Sequence, residues 1–302
     1  MSTKRRLRVA SLPNLAYLPL HIADRLGCFH EEGLDVQMLT HSAGWDSLNQ
    51  LVHDGDADII LGNVLLALRE LASVPRLVVI AACVQRARHV LVARRPGRRF
   101  EWTGLGDASL IIPSDLPTPW IVLREALRVR KVSTDGLRLL IGFSGSSGVG
   151  AFREGVGDYL LTNIESVRLA GGTEVASLAV EGGRLPWSVF MASERVMESD
   201  PGLFSSFRAA LARAQTWLSK ADAQTVSDLL AVTYPIKREH LERAIHRYQE
   251  LDIWAANPRV ERADVEAWQQ TLVRSGLLAK TVDVNSFLIE IDRIAAEAVR
   301  RK

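Results

Sequence analysis

Along the first ninety residues apolar and polar runs exchange at two different periods. A short apolar-rich run at 7–10 meets the polar break Ser11-Leu12-Pro13-Asn14, and 17–26 then reads as a helix ending at Gly27. The exchange repeats with a strand at 34–39, a helix at 47–53, the strand phrase 57–62 and a helix at 65–73. Two β-rich runs, 77–82 and 89–93, flank the polar Gln85-Arg86-Ala87-Arg88. Strands separated by helices of about ten residues predict βαβ units on a parallel sheet. Each of the first three strands aims its carboxyl end at a helix start. Free backbone N–H groups and a positive partial charge there receive anions and polar ligands.

The theme then restarts. The basic, turn-like stretch 94–103, with Pro96-Gly97 inside it, predicts a crossing between lobes. A strand is expected at 108–112, the loop 114–119 next, and a helix at 120–129 with Pro119 near its first turn. Beyond a strand at 138–143, Ser144-Gly145-Ser146-Ser147-Gly148 opens a helix through Arg153. Gly157-Asp158-Tyr159-Leu160-Leu161-Thr162-Asn163 echoes Gly55-Asp56-Ala57-Asp58-Ile59-Ile60, which implies two lobes on one plan. A return crossing is expected near 187–191. Helical spacing then fills 204–219, 222–230, 237–248, 262–275 and 284–299, expected to pack on lobe one. The expected division is 1–93 plus 191–302 for lobe one and 94–190 for lobe two, with hinge crossings near 93–97 and 187–191.

Bulk composition narrows the function classes. The 302 residues hold 37 basic and 35 acidic side chains, a net charge of +2, so no global field draws nucleic acid. Apolar residues make up 47%, which allows two substantial cores and argues against disorder. Cys28 and Cys83 make no disulfide framework. No apolar run has the length of a membrane span. The start Met1-Ser2-Thr3-Lys4-Arg5-Arg6 carries the charges of a secretory n-region without an apolar h-region behind it. A periplasmic place is expected if a leader was removed, and a cytoplasmic one if this is the full natural chain.

Several phrases resemble a known family. Pro13-Asn14, the helix to Gly27, Phe29-His30-Glu31-Glu32-Gly33-Leu34-Asp35-Val36, Gly55-Asp56-Ala57-Asp58, the turn Gly155-Val156-Gly157-Asp158, and Asp200-Pro201 leading Phe204 to Trp217 are the carriers. Together they resemble the substrate-binding proteins of ABC importers for alkanesulfonates, taurine, nitrate and thiamine-pyrimidine precursors. Thiamine pyrimidine synthases share that fold. The resemblance implies an α/β, two-lobe, periplasmic-binding-protein-like (type II) clamp. Each lobe is a mostly parallel sheet flanked by helices, and a helical C-terminal segment packs on lobe one. It also implies a small polar or anionic ligand gripped by hinge closure, and an ABC permease as partner. The cysteine-rich motif of the synthases is absent, since Phe29 and His30 follow Cys28.

The expected ligand-binding residues lie where these strands end. In lobe one Asn14 and Tyr17 offer polar tips, against the plainer roles of helix cap and core ring. Trp45 offers a stacking face and Asn63 an amide after the third strand. Gln85 and Arg86 lie at the jaw, where an arginine can grip a carboxylate, sulfonate or phosphate with two parallel hydrogen bonds; Arg88 suits a solvated hairpin tip better. In lobe two Ser114, Asp115 and Thr118 precede one helix, while Ser144, Ser146 and Ser147 precede another. Each is equally a good N-cap. Asn163 occupies the slot matching Asn63, and Trp187 offers an apolar wall.

Other chemistries lack their patterns. Gly148-Val149-Gly150 misses the third glycine of a dinucleotide fingerprint. The seven histidines show no metal-ligand spacing, and no Gly-x-Ser-x-Gly elbow occurs. The first reading is therefore a monomeric, cofactor-free solute-binding protein. The second is a cytoplasmic enzyme on the same fold, of the thiamine-precursor synthase or aromatic-acid decarboxylase or desulfinase type, with Cys28 or His30 as nucleophile or base. A cytoplasmic ligand sensor is the third.

Overall fold

A computed structural model describes residues 5–40, 46–69, 76–95, 100–114, 117–234 and 236–288. Strand β1 (Arg5–Ser11) alternates the exposed Arg6 and half-buried Arg8 with the fully buried Leu7 and Val9. Asn14 turns the chain through a 3₁₀ turn, Leu15–Tyr17, into α1 (Leu18–Arg25), with Pro19 in the first turn, where a missing N–H costs nothing. Gly27, at φ 72°, makes the left-handed corner into the short α2 (Cys28–Glu31). Then follow β2 (Leu34–Thr40), α3 (Asp46–His53), β3 (Ile59–Gly62), α4 (Leu65–Arg69) and β4 (Leu77–Val84). The expected helix 65–73 is thus seen as Leu65–Arg69, and its remainder lies outside the described residues.

The middle of the chain is β5 (His89–Ala93), β6 (Ser109–Pro113), α5 (Pro117–Val129), β7 (Arg138–Phe143), α6 (Gly145–Arg153) and β8 (Tyr159–Asn163). Three short elements not expected from the sequence follow: α7 (Val167–Ala170), β9 (Thr173–Ser177) and α8 (Leu178–Gly182). The last third contains β10 (Ser188–Ser193), α9 (Glu194–Ser199), α10 (Pro201–Leu218), α11 (Ala223–Leu230), α12 (Arg238–Glu250) and α13 (Arg262–Arg274). Only a 3₁₀ turn, Val284–Ser286, begins the expected helix 284–299, and 289–302 lie outside the described residues.

Two compact units result. The first comprises Met1–Gln85, Pro186–Ile245 and Trp254–Lys302; the second comprises Arg86–Leu185 and His246–Ile253. The sheet of the first has the order β2-β1-β3-β10-β4, with β1 parallel to β2 and β3, and β10 antiparallel to β3 and β4. The sheet of the second has the order β7-β6-β8-β5-β9, with β6 parallel to β7 and β8, and β5 antiparallel to β8 and β9. In each sheet four strands run one way. The fifth, antiparallel strand follows directly after the chain has crossed from the other unit.

That pairing changes the expected crossings. His89–Ala93, expected in lobe one, forms β5 with its ladders to β8 and β9, so the chain leaves the first unit at Gln85 rather than within 93–97. The return falls at Pro186, just ahead of the expected 187–191. Helix α12 also differs from the expectation that the helical tail packs wholly on lobe one. Its last turn and the residues to Ile253 belong to the second unit, where Arg247 pairs with Glu174 at 2.5 Å and Tyr248 donates to Glu165 at 2.9 Å.

The repeated phrase has one physical role in both units. Asp58 opens β3 and accepts from the Arg8 N–H at 2.7 Å, and its other oxygen pairs with the Arg8 guanidinium at 2.9 Å. Asp158, just before β8, accepts from the Ser109 N–H at 2.8 Å and from the Ser109 hydroxyl. Each carboxylate thereby pins two parallel neighbours together, β3 to β1 in the first unit and β8 to β6 in the second. In the first unit Phe207 of α10 stacks on Phe29 at 5.3 Å and meets Phe190 of β10 edge-on at 5.2 Å, locking the helical tail to the sheet.

Candidate ligand-binding site

In the first unit the strand ends form a rim. Ser11 pairs with Leu61, Val189 with Gly62 and Ser188 with Val84, so β10 begins where β1, β3 and β4 end. Asn14 caps the 3₁₀ turn: its Oδ1 accepts from Ala16 N–H at 2.9 Å, and its backbone carbonyl accepts from the Tyr234 hydroxyl at 3.1 Å. The Ala16 carbonyl accepts from the Trp254 indole at 3.0 Å, which holds this corner from behind. Asn63 repeats the device with Leu65 N–H at 3.0 Å. Tyr17 is fully buried, Gln85 is buried directly after β4, and Trp187 is buried with its ring 6.3 Å from Trp268. Trp45 lies outside the described residues.

The second unit has a corresponding rim. Both the N–H and the hydroxyl of Ser114 donate to the Phe143 carbonyl at 2.9 Å, stitching the ends of β6 and β7 together. Ser144 starts α6 in a capping box with Ser147. Ser146 is exposed, 3.4 Å from the Ser144 hydroxyl, while Thr118 is buried in the first turn of α5. Asn163 faces His89 across the ladder, and its Oδ1 accepts from Ser166 N–H at 3.0 Å. Asp115 lies outside the described residues.

The capping reading therefore holds for Asn14, Asn63, Ser144 and Asn163, and it does not exhaust the three amides. In each the carbonyl oxygen takes the backbone N–H, which fixes the amide plane. The Nδ2 groups of these half-buried asparagines make no hydrogen bond among the described residues. Two donors at the first rim and one at the second are thus oriented and uncommitted.

The arginines divide. Arg88 gives one terminal nitrogen to both oxygens of Glu165, at 3.0 and 3.1 Å, and Glu165 also accepts from Tyr248. Its charge is matched internally, so Arg88 is a framework residue. Burial first, and Glu165 next, push the Tyr248 hydroxyl well above its usual range and keep it a neutral donor. Arg86 is bound more loosely: one nitrogen donates to the Ala179 carbonyl at 3.2 Å, and Nε stands 3.6 Å from Asp252.

Sequence reasoning missed two neighbours of these residues. Ser177 ends β9 nine-tenths buried, and its hydroxyl has no partner among the described residues. Asp252 approaches Arg86 from the 246–253 excursion, which no periodicity reveals. His89 is fully buried, and desolvation, then the nearby Arg88, drive its imidazole well below the usual range, so it is neutral. Cys28, proposed as a nucleophile, is buried beside the amino end of β2, at the opposite end of the sheet from the rim, and burial raises its thiol. Activation would require the reverse.

Comparison with known proteins agrees with this architecture. No family model matches the chain. The Bacillus subtilis (strain 168) protein named "Putative binding protein YtlA" is 24% identical over 294 residues, covering 95% of this chain and 88% of that one. The solved periplasmic aliphatic sulphonate binding protein SsuA from Escherichia coli superposes with a TM-score of 0.76 at 16% identity, over 94% of this chain and 97% of that one. The solved desulfurization enzyme DSZB superposes at 0.68 with 16% identity, over 99% and 100% of the two chains. These likenesses show the periplasmic-binding-protein-like fold, which carries both binders and an enzyme.

Proposed function

We propose that this chain is a solute-binding protein that holds a small polar or anionic organic molecule, with an ABC-type permease as partner and the periplasm as its place of work. The observation that carries the reading is the repeated rim. Each unit presents strand ends carrying a capped asparagine whose amide donor is uncommitted, and the second adds Arg86. Donors of this kind complement oxygen acceptors on a ligand; a guanidinium adds the preference for negative charge. The Escherichia coli sulphonate binder and the Bacillus subtilis relative support the same reading through fold and name.

An enzyme on this fold draws less support from the chain's own residues, because the thiol singled out for it is buried, has a raised pKa and lies away from the rim. The deciding experiment is calorimetric titration with methanesulfonate, taurine, nitrate and a pyrimidine, each followed by mass analysis of the recovered molecule. Stoichiometric binding with the molecule returned intact supports the proposal. Chemical conversion of a bound compound overturns it in favour of catalysis.

A further inference from the structure

Within the second unit the guanidinium singled out for ligand contact already has a carboxylate beside it. Asp252 Oδ2 lies 3.6 Å from Arg86 Nε, too far for a hydrogen bond. Nε is enclosed and has no hydrogen-bond partner among the described residues. The two partners differ in exposure: the Arg86 side chain is 25% exposed and that of Asp252 is 61% exposed. Asp252 also sits at φ 52°, a left-handed backbone conformation that holds its side chain directly after the end of α12. A solvent-facing acid in loose ion pairing with an enclosed guanidinium is a contact that a better-placed anion can replace.

We infer that Asp252 is a specificity-determining residue, an internal competitor that an acidic ligand group must displace from Arg86. The inference rests on the proposed role of Arg86 in binding. It assigns to Asp252 a selection role: a neutral ligand meets an arginine already neutralised, and a weakly held anion gains little by exchange. Only a group able to accept from Nε at hydrogen-bond distance replaces the carboxylate with profit.

The test follows the Arg86 Nε–H resonance by nitrogen–proton NMR while inorganic sulfate is added, in the wild type and in Asp252→Asn. Asparagine keeps the side-chain shape and tolerates the left-handed backbone, so the fold is preserved. The expected result is a sulfate response at Arg86 in both proteins, with the apparent dissociation constant about threefold to fivefold lower in Asp252→Asn, the scale of an exposed ion pair. With Arg86→Gln, which lacks that Nε–H, sulfate affinity read by calorimetry is expected to be the same with and without Asp252→Asn. Equal constants in the two proteins, or no response at Arg86 in either, overturn the competitor role. If the contrast holds while no organic compound binds the wild type, the competitor stands and the solute-binding reading fails instead.

Discussion

At the level of single side chains, residues that look alike in sequence do different work. Asp58 and Asp158 are strand pins. Asp58→Ala removes an acceptor for the Arg8 N–H and a partner for its guanidinium, and is expected to cost about 1–3 kcal/mol in chemical denaturation. The Asp158 carboxyl lies below its usual range, chiefly through the Ser109 hydroxyl and N–H. Its contribution is present above the ordinary aspartate value of about 4 and is lost as pH falls through the lower folded value. His89 acts at a higher pH. Its folded value is depressed, so the unfolded chain takes up the proton first, and stability falls as pH drops below about 6.5. His21, also lowered by burial, adds to the same window. His89→Gln is therefore expected to flatten part of the stability change between pH 7 and 5 in denaturant titrations; an unchanged slope would exclude His89 as its source.

Elements were read from the sequence to the extent that their signals are local. The alternation in 7–62 and the post-strand asparagines survive because a strand end, a cap and a helix start lie within a few residues of one another. Asn63 and Asn163, each five positions after its strand-pinning aspartate, were legible as equivalents for that reason. The antiparallel strands were not. The run at 89–93 is buried on both faces and apolar after His89, as a central strand is, and nothing in it states which sheet receives it. The 246–253 excursion was hidden in the same way, since α12 keeps a single helical period while changing units. Asp252 therefore stayed invisible even though Arg86 did not. Close packing sets a further limit that only coordinates reveal: a Cβ on Gly172 would stand 2.6 Å from Val92 and 2.7 Å from the Ala93 carbonyl. Gly172→Ala is expected to destabilise the protein by about 1–3 kcal/mol in thermal or urea melts, the usual cost of overpacking. Ser144→Ala, which removes a cap on α6, is expected to cost about 1 kcal/mol.

For the whole molecule, two sheets share one strand plan, each completed by an antiparallel strand from the chain's passage between units. This plan is the part of the fold that the internal sequence echo foretold. The ligand's identity was not legible, because it depends on side chains brought together from segments far apart in sequence. The central claim is that this plan serves reversible binding of a small acidic or polar molecule, with Arg86 supplying charge. Calorimetry with a ligand first identified by native mass spectrometry of protein from its own host tests it most directly. The expected result is one molecule bound per chain, recovered unchanged, with Arg86→Ala weakening an acidic ligand by about 1.5–3 kcal/mol. Undiminished affinity in Arg86→Ala, or a bound molecule that emerges chemically altered, would contradict it.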